Sequence, residues 1–151
     1  MQDFRRLLVW RRAHVFAIDI KQVTKTFPRT GYRDLKSQLS RAAESIASKI
    51  VEGCAAASRK EFARFLDISI KSASEVDYRL ELARDHGVLP YRVWKPLAAE
   101  VVEIRKMLSA LRRAVLAAKH VPPAADAEKA ERSSPARPET RSPQELKPDD
   151  Q

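Results

Sequence analysis

Glycine, cysteine and histidine are scarce in this 151-residue chain, which has three, one and three of them. Three glycines cannot supply a Gly-rich nucleotide loop, a collagen repeat or the many tight turns of a sandwich or barrel. The lone Cys54 can form no internal disulfide, so nothing points to a secreted, disulfide-stapled domain. With only His14, His86 and His120 to join it, a structural zinc site is not expected. Long apolar runs are missing too, and no stretch approaches the ~20 apolar residues of a membrane span. Arg5 and Arg6 stand near the start, but Arg11, Arg12 and His14 interrupt the apolar run that a signal peptide needs. A cytoplasmic protein without a signal peptide is expected.

Charge and proline are present but unevenly spread. Residues 1–119 carry 24 lysines and arginines against 13 acidic side chains, a net charge of +11. Residues 120–151 carry five against seven, a net −2. Six of the nine prolines (Pro122, Pro123, Pro135, Pro138, Pro143 and Pro148) lie in that last segment. It has no aromatic residue, and Val121 and Leu146 are its only large aliphatics. Such a segment buries too little apolar surface to offset its ordering entropy, so 120–151 is expected to be a disordered tail. Residues 1–119 are expected to form one domain, large enough for a core.

Four helical stretches follow from periodicity. In the first, from about Phe4 to Phe27, the apolar residues Val9, Ala13, Phe16, Ile20, Val23 and Phe27 recur at alternating steps of four and three. Pro28 then stops it. The second runs from about Tyr32 to Glu52 with Leu35, Leu39, Ala43, Ile46 and Ile50 on one face. Gly53 follows where a left-handed terminal residue is wanted. The third opens on Ser58-Arg59-Lys60-Glu61, the pattern of a capping box, and ends at Gly87. Ser69, Ser72, Ala73 and Ser74 at its centre are small enough to admit a neighbouring helix closely. The fourth starts near Pro90, a residue favoured in a helix's first turn, and Pro96 inside the stretch admits a later start of the regular helix. From there Leu97, Val101, Ile104, Leu108, Leu111, Val115 and Ala118 form the stripe. No segment alternates as a strand does. Short connections favour antiparallel neighbours, so the expected fold is an all-α, antiparallel up-down-up-down four-helix bundle. Periodicity alone also admits a three-helix bundle or an extended array of helical hairpins.

Particular blocks carry a family resemblance. Phe4-Arg-Arg-Leu-Leu-Val-Trp-Arg-Arg-Ala-His14 resembles the opening of the small bacterial four-helix bundle proteins first met as products of intervening sequences in 23S rRNA genes. Thr26-Phe27-Pro28, Gln38-Leu-Ser-Arg-Ala-Ala-Glu-Ser-Ile46, Lys60-Glu-Phe-Ala-Arg-Phe-Leu66 and Leu82-Ala-Arg-Asp-His-Gly-Val-Leu89 continue it in order. The run Ala47-Ser-Lys-Ile-Val-Glu-Gly53 and the following Cys54-Ala-Ala-Ala57 depart from the family's pattern. The resemblance implies a four-helix bundle that assembles as a five-fold ring with a basic surface. It also implies a distant likeness to the accessory proteins of diversity-generating retroelements, which bind a reverse transcriptase and RNA.

No pattern of catalysis accompanies the helices, and no enzyme or cofactor is expected. The Glu-x-x-His pair of a di-iron bundle is absent; Glu81 is followed three residues on by Arg84. His14 has no motif around it, His86 suits the favourable end of a helix dipole, and Cys54 reads as a small apolar residue. Basic residues are the strongest functional signal. In an antiparallel bundle the starts of helices 1 and 3 and the ends of helices 2 and 4 meet at one pole. Arg5, Arg6, Arg11, Arg12, Lys49, Arg59, Lys60, Arg64, Arg112 and Arg113 are the candidate nucleic-acid-binding residues around it. Cations there would displace counterions from RNA or DNA phosphates. Trp10 and Tyr32 are candidates to stack on bases, with burial as the competing role of Trp10. Leu7, Leu8, Val15 and Ile18 on helix 1, and Val102 and Leu116 on helix 4, lie off the main stripes and suggest a homo-oligomer. The two expectations are an RNA- or DNA-binding assembly and a protein-interaction module whose partner is a reverse transcriptase or another protein.

Overall fold

A computed structural model describes residues 2–118, so the tail expected over 120–151, and His120, lie outside the described residues. Four α-helices form: α1 (Leu8–Thr24), α2 (Arg33–Cys54), α3 (Arg59–Asp85) and α4 (Tyr91–Ala117). Each packs on its neighbour in sequence, and α4 returns to α1 through the thinnest of the four seams. Among the described residues no strand occurs, and no helix is long and apolar enough to cross a membrane.

The first helix is shorter than its pattern implies. Asp3 accepts the Arg5 N–H at 3.0 Å and so caps a separate 3-10 turn over Phe4–Arg6. Leu7 is extended, and α1 starts only after it. At the far end the Thr24 hydroxyl donates to the Lys21 carbonyl and that of Thr26 to the Val23 carbonyl. Residue 27 precedes a proline, which disfavours helical backbone there. Phe27 is nevertheless buried, so it serves the core from outside the helix.

The other termini are set by identifiable side chains. Ser58 accepts the Glu61 N–H at 3.1 Å. Glu61 in turn accepts the Ala57 N–H at 3.0 Å, one residue before the cap. At the end of α3 the N–H of Val88 bonds the Ala83 carbonyl and that of Gly87 the Arg84 carbonyl. This Schellman closure places Gly87 at φ +74°, where glycine is favoured. Helix α4 begins at Tyr91, next to the start expected near Pro90, and regular helix does not wait for Pro96. At the helix's sixth position a proline forfeits one bond, to the carbonyl of the exposed Arg92, and the helix passes through it.

Gly53 differs most from expectation. It lies inside α2, buried, without a positive φ. A Cβ there would stand 2.5 Å from Cδ2 of Phe62 and 3.2 Å from Cβ of Phe65. Glycine is needed for the close approach of α3 and not for a turn. Small residues are buried on both helices: Ala42, Ala43 and Ala47 on α2, and Ser69, Ser72 and Ala73 on α3. Ser69 is fully buried and donates to the Ile46 carbonyl at 2.8 Å. The Ser72 hydroxyl donates to that of Ser45 at 2.9 Å. Small side chains thus bring the two helices together, and the hydroxyls do not go unpaired.

Large residues fill the rest of the core, with Phe16, Ile20, Leu39, Ile46, Ile50, Leu66, Leu80, Ile104 and Leu108 fully buried. Each contributes about 1.5–3 kcal/mol of burial. Across the thin α1–α4 seam Arg12 donates to both Glu100 oxygens, at 2.8 and 2.7 Å. That bond, ahead of the carboxylate's charge, raises the guanidinium's pKa above its ordinary value. Both side chains are about one-third exposed, 35% and 33%, so water screens the pair. Arg12→Ala is expected to lower stability by about 1 kcal/mol, and Arg12→Lys, which cannot fork, by nearly as much. A double-mutant cycle with Glu100→Ala measures the coupling; zero coupling would remove the pair from the account of this seam.

Candidate nucleic-acid interface

Antiparallel packing brings the N-terminal turn, the end of α2, the start of α3 and the end of α4 to one pole. The Gln2 N–H bonds the Cys54 carbonyl at 3.2 Å, which ties the N-terminal turn to the end of α2. Arg112 of α4 pairs with Asp67 of α3. Between these two helices lies a cleft of ≈ 680 Å³, lined by Ser58, Lys60, Glu61, Ala63, Arg64, Asp67, Arg112 and Leu116.

The ten candidate cations sort by their partners. Lys60, Arg64 and Arg112 converge on this cleft. Arg59 occupies the first position of α3 and Arg113 follows Arg112, both exposed. Among the described residues Arg6, Arg59, Lys60, Arg64 and Arg113 form no ion pair. The others are engaged. Arg12 is held by Glu100, Lys49 by Glu52 at 2.7 Å and Arg5 by Asp3 at 3.6 Å. Arg11 donates to the Arg5 carbonyl at 3.1 Å.

The aromatic candidates are likewise occupied. Trp10 is half-buried, with the His14 ring stacked on it at 5.0 Å and Phe4 edge-on at 4.7 Å. The Arg5 guanidinium covers Phe4 at 4.4 Å. His14 thus stands exposed at the end of a row of stacked groups. Tyr32 lies at the opposite pole, edge-on to His86 at 5.8 Å.

Cys54 is buried at the end of α2. Burial first, and the Asp3 charge second, push its thiol pKa up. The thiolate is therefore disfavoured, which suits a packing role.

On helix α1 the off-stripe residues Leu8, Val15 and Ile18 are 59%, 55% and 49% exposed. Spaced by seven and three, they share one helix face. Leu116 is also exposed, whereas Leu7 and Val102 are partly covered. Sequence periodicity located these groups. It could not reveal which cations Glu100 and Asp67 neutralise, because that depends on the register between helices.

Residues 5–110 match the 23S rRNA-intervening sequence protein family. The fold superposes with a TM-score of 0.66 on the crystal structure of a protein of unknown function from the S23 ribosomal protein family of Bacteroides thetaiotaomicron. The two are 26% identical, and the match covers 70% of this chain and 98% of the other. No curated protein matches the sequence significantly.

Proposed function

The chain belongs to the 23S rRNA-intervening sequence protein family, and we propose that it acts as a non-enzymatic, self-associating four-helix module that holds RNA by its phosphate backbone. The convergence on one cleft of Lys60 and Arg64, neither in an ion pair among the described residues, carries this reading. Arg59 and Arg113 extend the charge on exposed positions beside it. Cations free of carboxylate partners release counterions from phosphates on binding, without first breaking an ion pair. Backbone charge gives affinity without base readout, and Trp10, covered by its neighbours, adds no stacking surface. Self-association is supported by the exposed Leu8, Val15 and Ile18, and the ring implied by the family resemblance would multiply weak phosphate contacts.

Fluorescence anisotropy with a labelled 20-base-pair RNA duplex tests the reading. For some four to six phosphate contacts at this pole, affinity is expected to fall by at least about 10²–10³-fold between 50 and 200 mM salt. Replacing Arg59, Lys60, Arg64 and Arg113 together by Gln is expected to remove most of the binding and leave the helical circular dichroism unchanged. Arg112 is spared because its loss would leave Asp67 unpaired. Tight binding that ignores both salt and these substitutions would sink the proposal. Absence of any RNA or DNA binding at low salt would instead favour a protein-interaction module, which the exposed face of α1 also suits. Light scattering reads the assembly directly, and a monomer contradicts it.

A further inference from the structure

The α1–α2 turn, at the other pole, gathers charge of a different quality. From Lys21 to Lys36 the chain has five cations against one carboxylate, Asp34. Thr24 ends α1, and Gly31, at φ +91°, sits in the turn that brings the chain back into α2. Lys25, Arg29, Arg33 and Lys36 thereby line one cleft of ≈ 360 Å³ together with Phe27 and Pro28. No carboxylate lines it, whereas Glu61 and Asp67 line the α3–α4 cleft.

None of these four cations forms an ion pair among the described residues. Lys25 reaches only a neutral acceptor, the Gln22 amide oxygen at 3.4 Å.

Stability does not account for the placement. Arg33 and Lys36 occupy the first turn of α2, the positive end of the helix dipole, where cations are unfavourable. Tyr32 supplies no side-chain cap there. Like charges gathered in one cleft also repel one another. Only Asp34, in the same turn of α2, opposes them locally. A polyanion seated in the cleft relieves both effects at once.

We propose that the α1–α2 turn is a second nucleic-acid contact, holding phosphodiester backbone through Lys25, Arg29, Arg33 and Lys36. It is separate from the α3–α4 cleft, since the two lie at opposite poles and on different helix pairs. One bundle then holds two backbone segments. The inference rests on the RNA-binding reading and adds a second site to it.

The same 20-base-pair RNA duplex and the full-length chain test it. Replacing all four residues by Gln is expected to reduce the slope of log affinity against log salt by about three units. The charge-preserving variant K25R/R29K/R33K/K36R is expected to keep the slope, and an unchanged helical circular dichroism of the Gln variant excludes misfolding as the cause. A chain lacking the α3–α4 cations is expected to retain weak, salt-sensitive binding that the turn substitutions then abolish. A wild-type slope in the turn variant, with binding lost in the α3–α4 variant, overturns this inference and leaves the first reading standing. No RNA binding by the wild-type chain overturns both. Turn-dependent capture on phosphatidylserine vesicles, with RNA binding unchanged, overturns the assignment in favour of a membrane surface.

Discussion

Phe16→Ala is expected to lower the unfolding free energy by about 3–5 kcal/mol. Phe16 is 1% exposed at the centre of the α1 stripe, with Ala13 and Ile20 on either side of it. It also borders the ≈ 440 Å³ groove between α1 and α4, beside Leu97. Truncation removes ring contacts and extends that groove into the core. The thin α1–α4 seam has little else to compensate, and a domain of this size commands only about 5–15 kcal/mol in all. Urea denaturation followed by circular dichroism would show a lower midpoint with an unchanged slope. Lys21→Ala, at an exposed position on the same helix, is the control and should stay within about 0.5 kcal/mol. Equal losses from the two variants would mean that the stripe is not what fastens α1.

Gly53→Val is expected to destabilise the bundle by about 3 kcal/mol, and Gly53→Ala by about 1 kcal/mol. At an ordinary helical glycine the sign is reversed, because alanine is favoured by about 1 kcal/mol. Here the added Cβ meets the Phe62 ring at 2.5 Å and Cβ of Phe65 at 3.2 Å. The ring can swing aside at some loss of packing, but Phe65 Cβ is fixed to the backbone of α3. Either α2 and α3 separate or the rotamers strain. Gly31 and Gly87 have nothing within 4 Å of an added Cβ, and positive φ is what requires glycine there. A stabilising Gly53→Ala, read from thermal unfolding, would contradict the close approach of the two helices. Phe62→Leu combined with Gly53→Ala should recover part of the loss, since the smaller side chain makes room.

The stripes were the most legible part of the chain. Val9, Ala13, Phe16 and Ile20 are all buried, as are Leu97, Val101, Ile104 and Leu108. Period alone determines which face of a helix turns inward, so no tertiary knowledge was needed. The capping box at Ser58 and the closure at Gly87 were legible for a related reason, because each is completed within five or six residues. Gly53 was misread, since a glycine near a helix end looks the same whether backbone angle or a neighbouring ring demands it. The split of the first helix at Leu7 depends on Asp3 capping its own small turn, a local competition that periodicity does not register. At the candidate site, composition located the basic pole but not its neutralised members. Arg12 and Glu100 are 88 residues apart, Arg112 and Asp67 45 apart. Only register makes such residues neighbours, and a count of charges does not contain it.

The α1–α4 seam also bears on the order in which the domain is assembled. Each of the other three seams joins helices adjacent in the chain, so its contacts close short loops at low entropic cost. The Arg12–Glu100 pair closes a loop of 88 residues. On the ribosome α1 emerges first, yet its second flank stays uncovered until α4 has been made. The earliest helix to be synthesised is therefore the latest to be fully enclosed, and the exposed apolar flank of the nascent α1 is what a chaperone would meet.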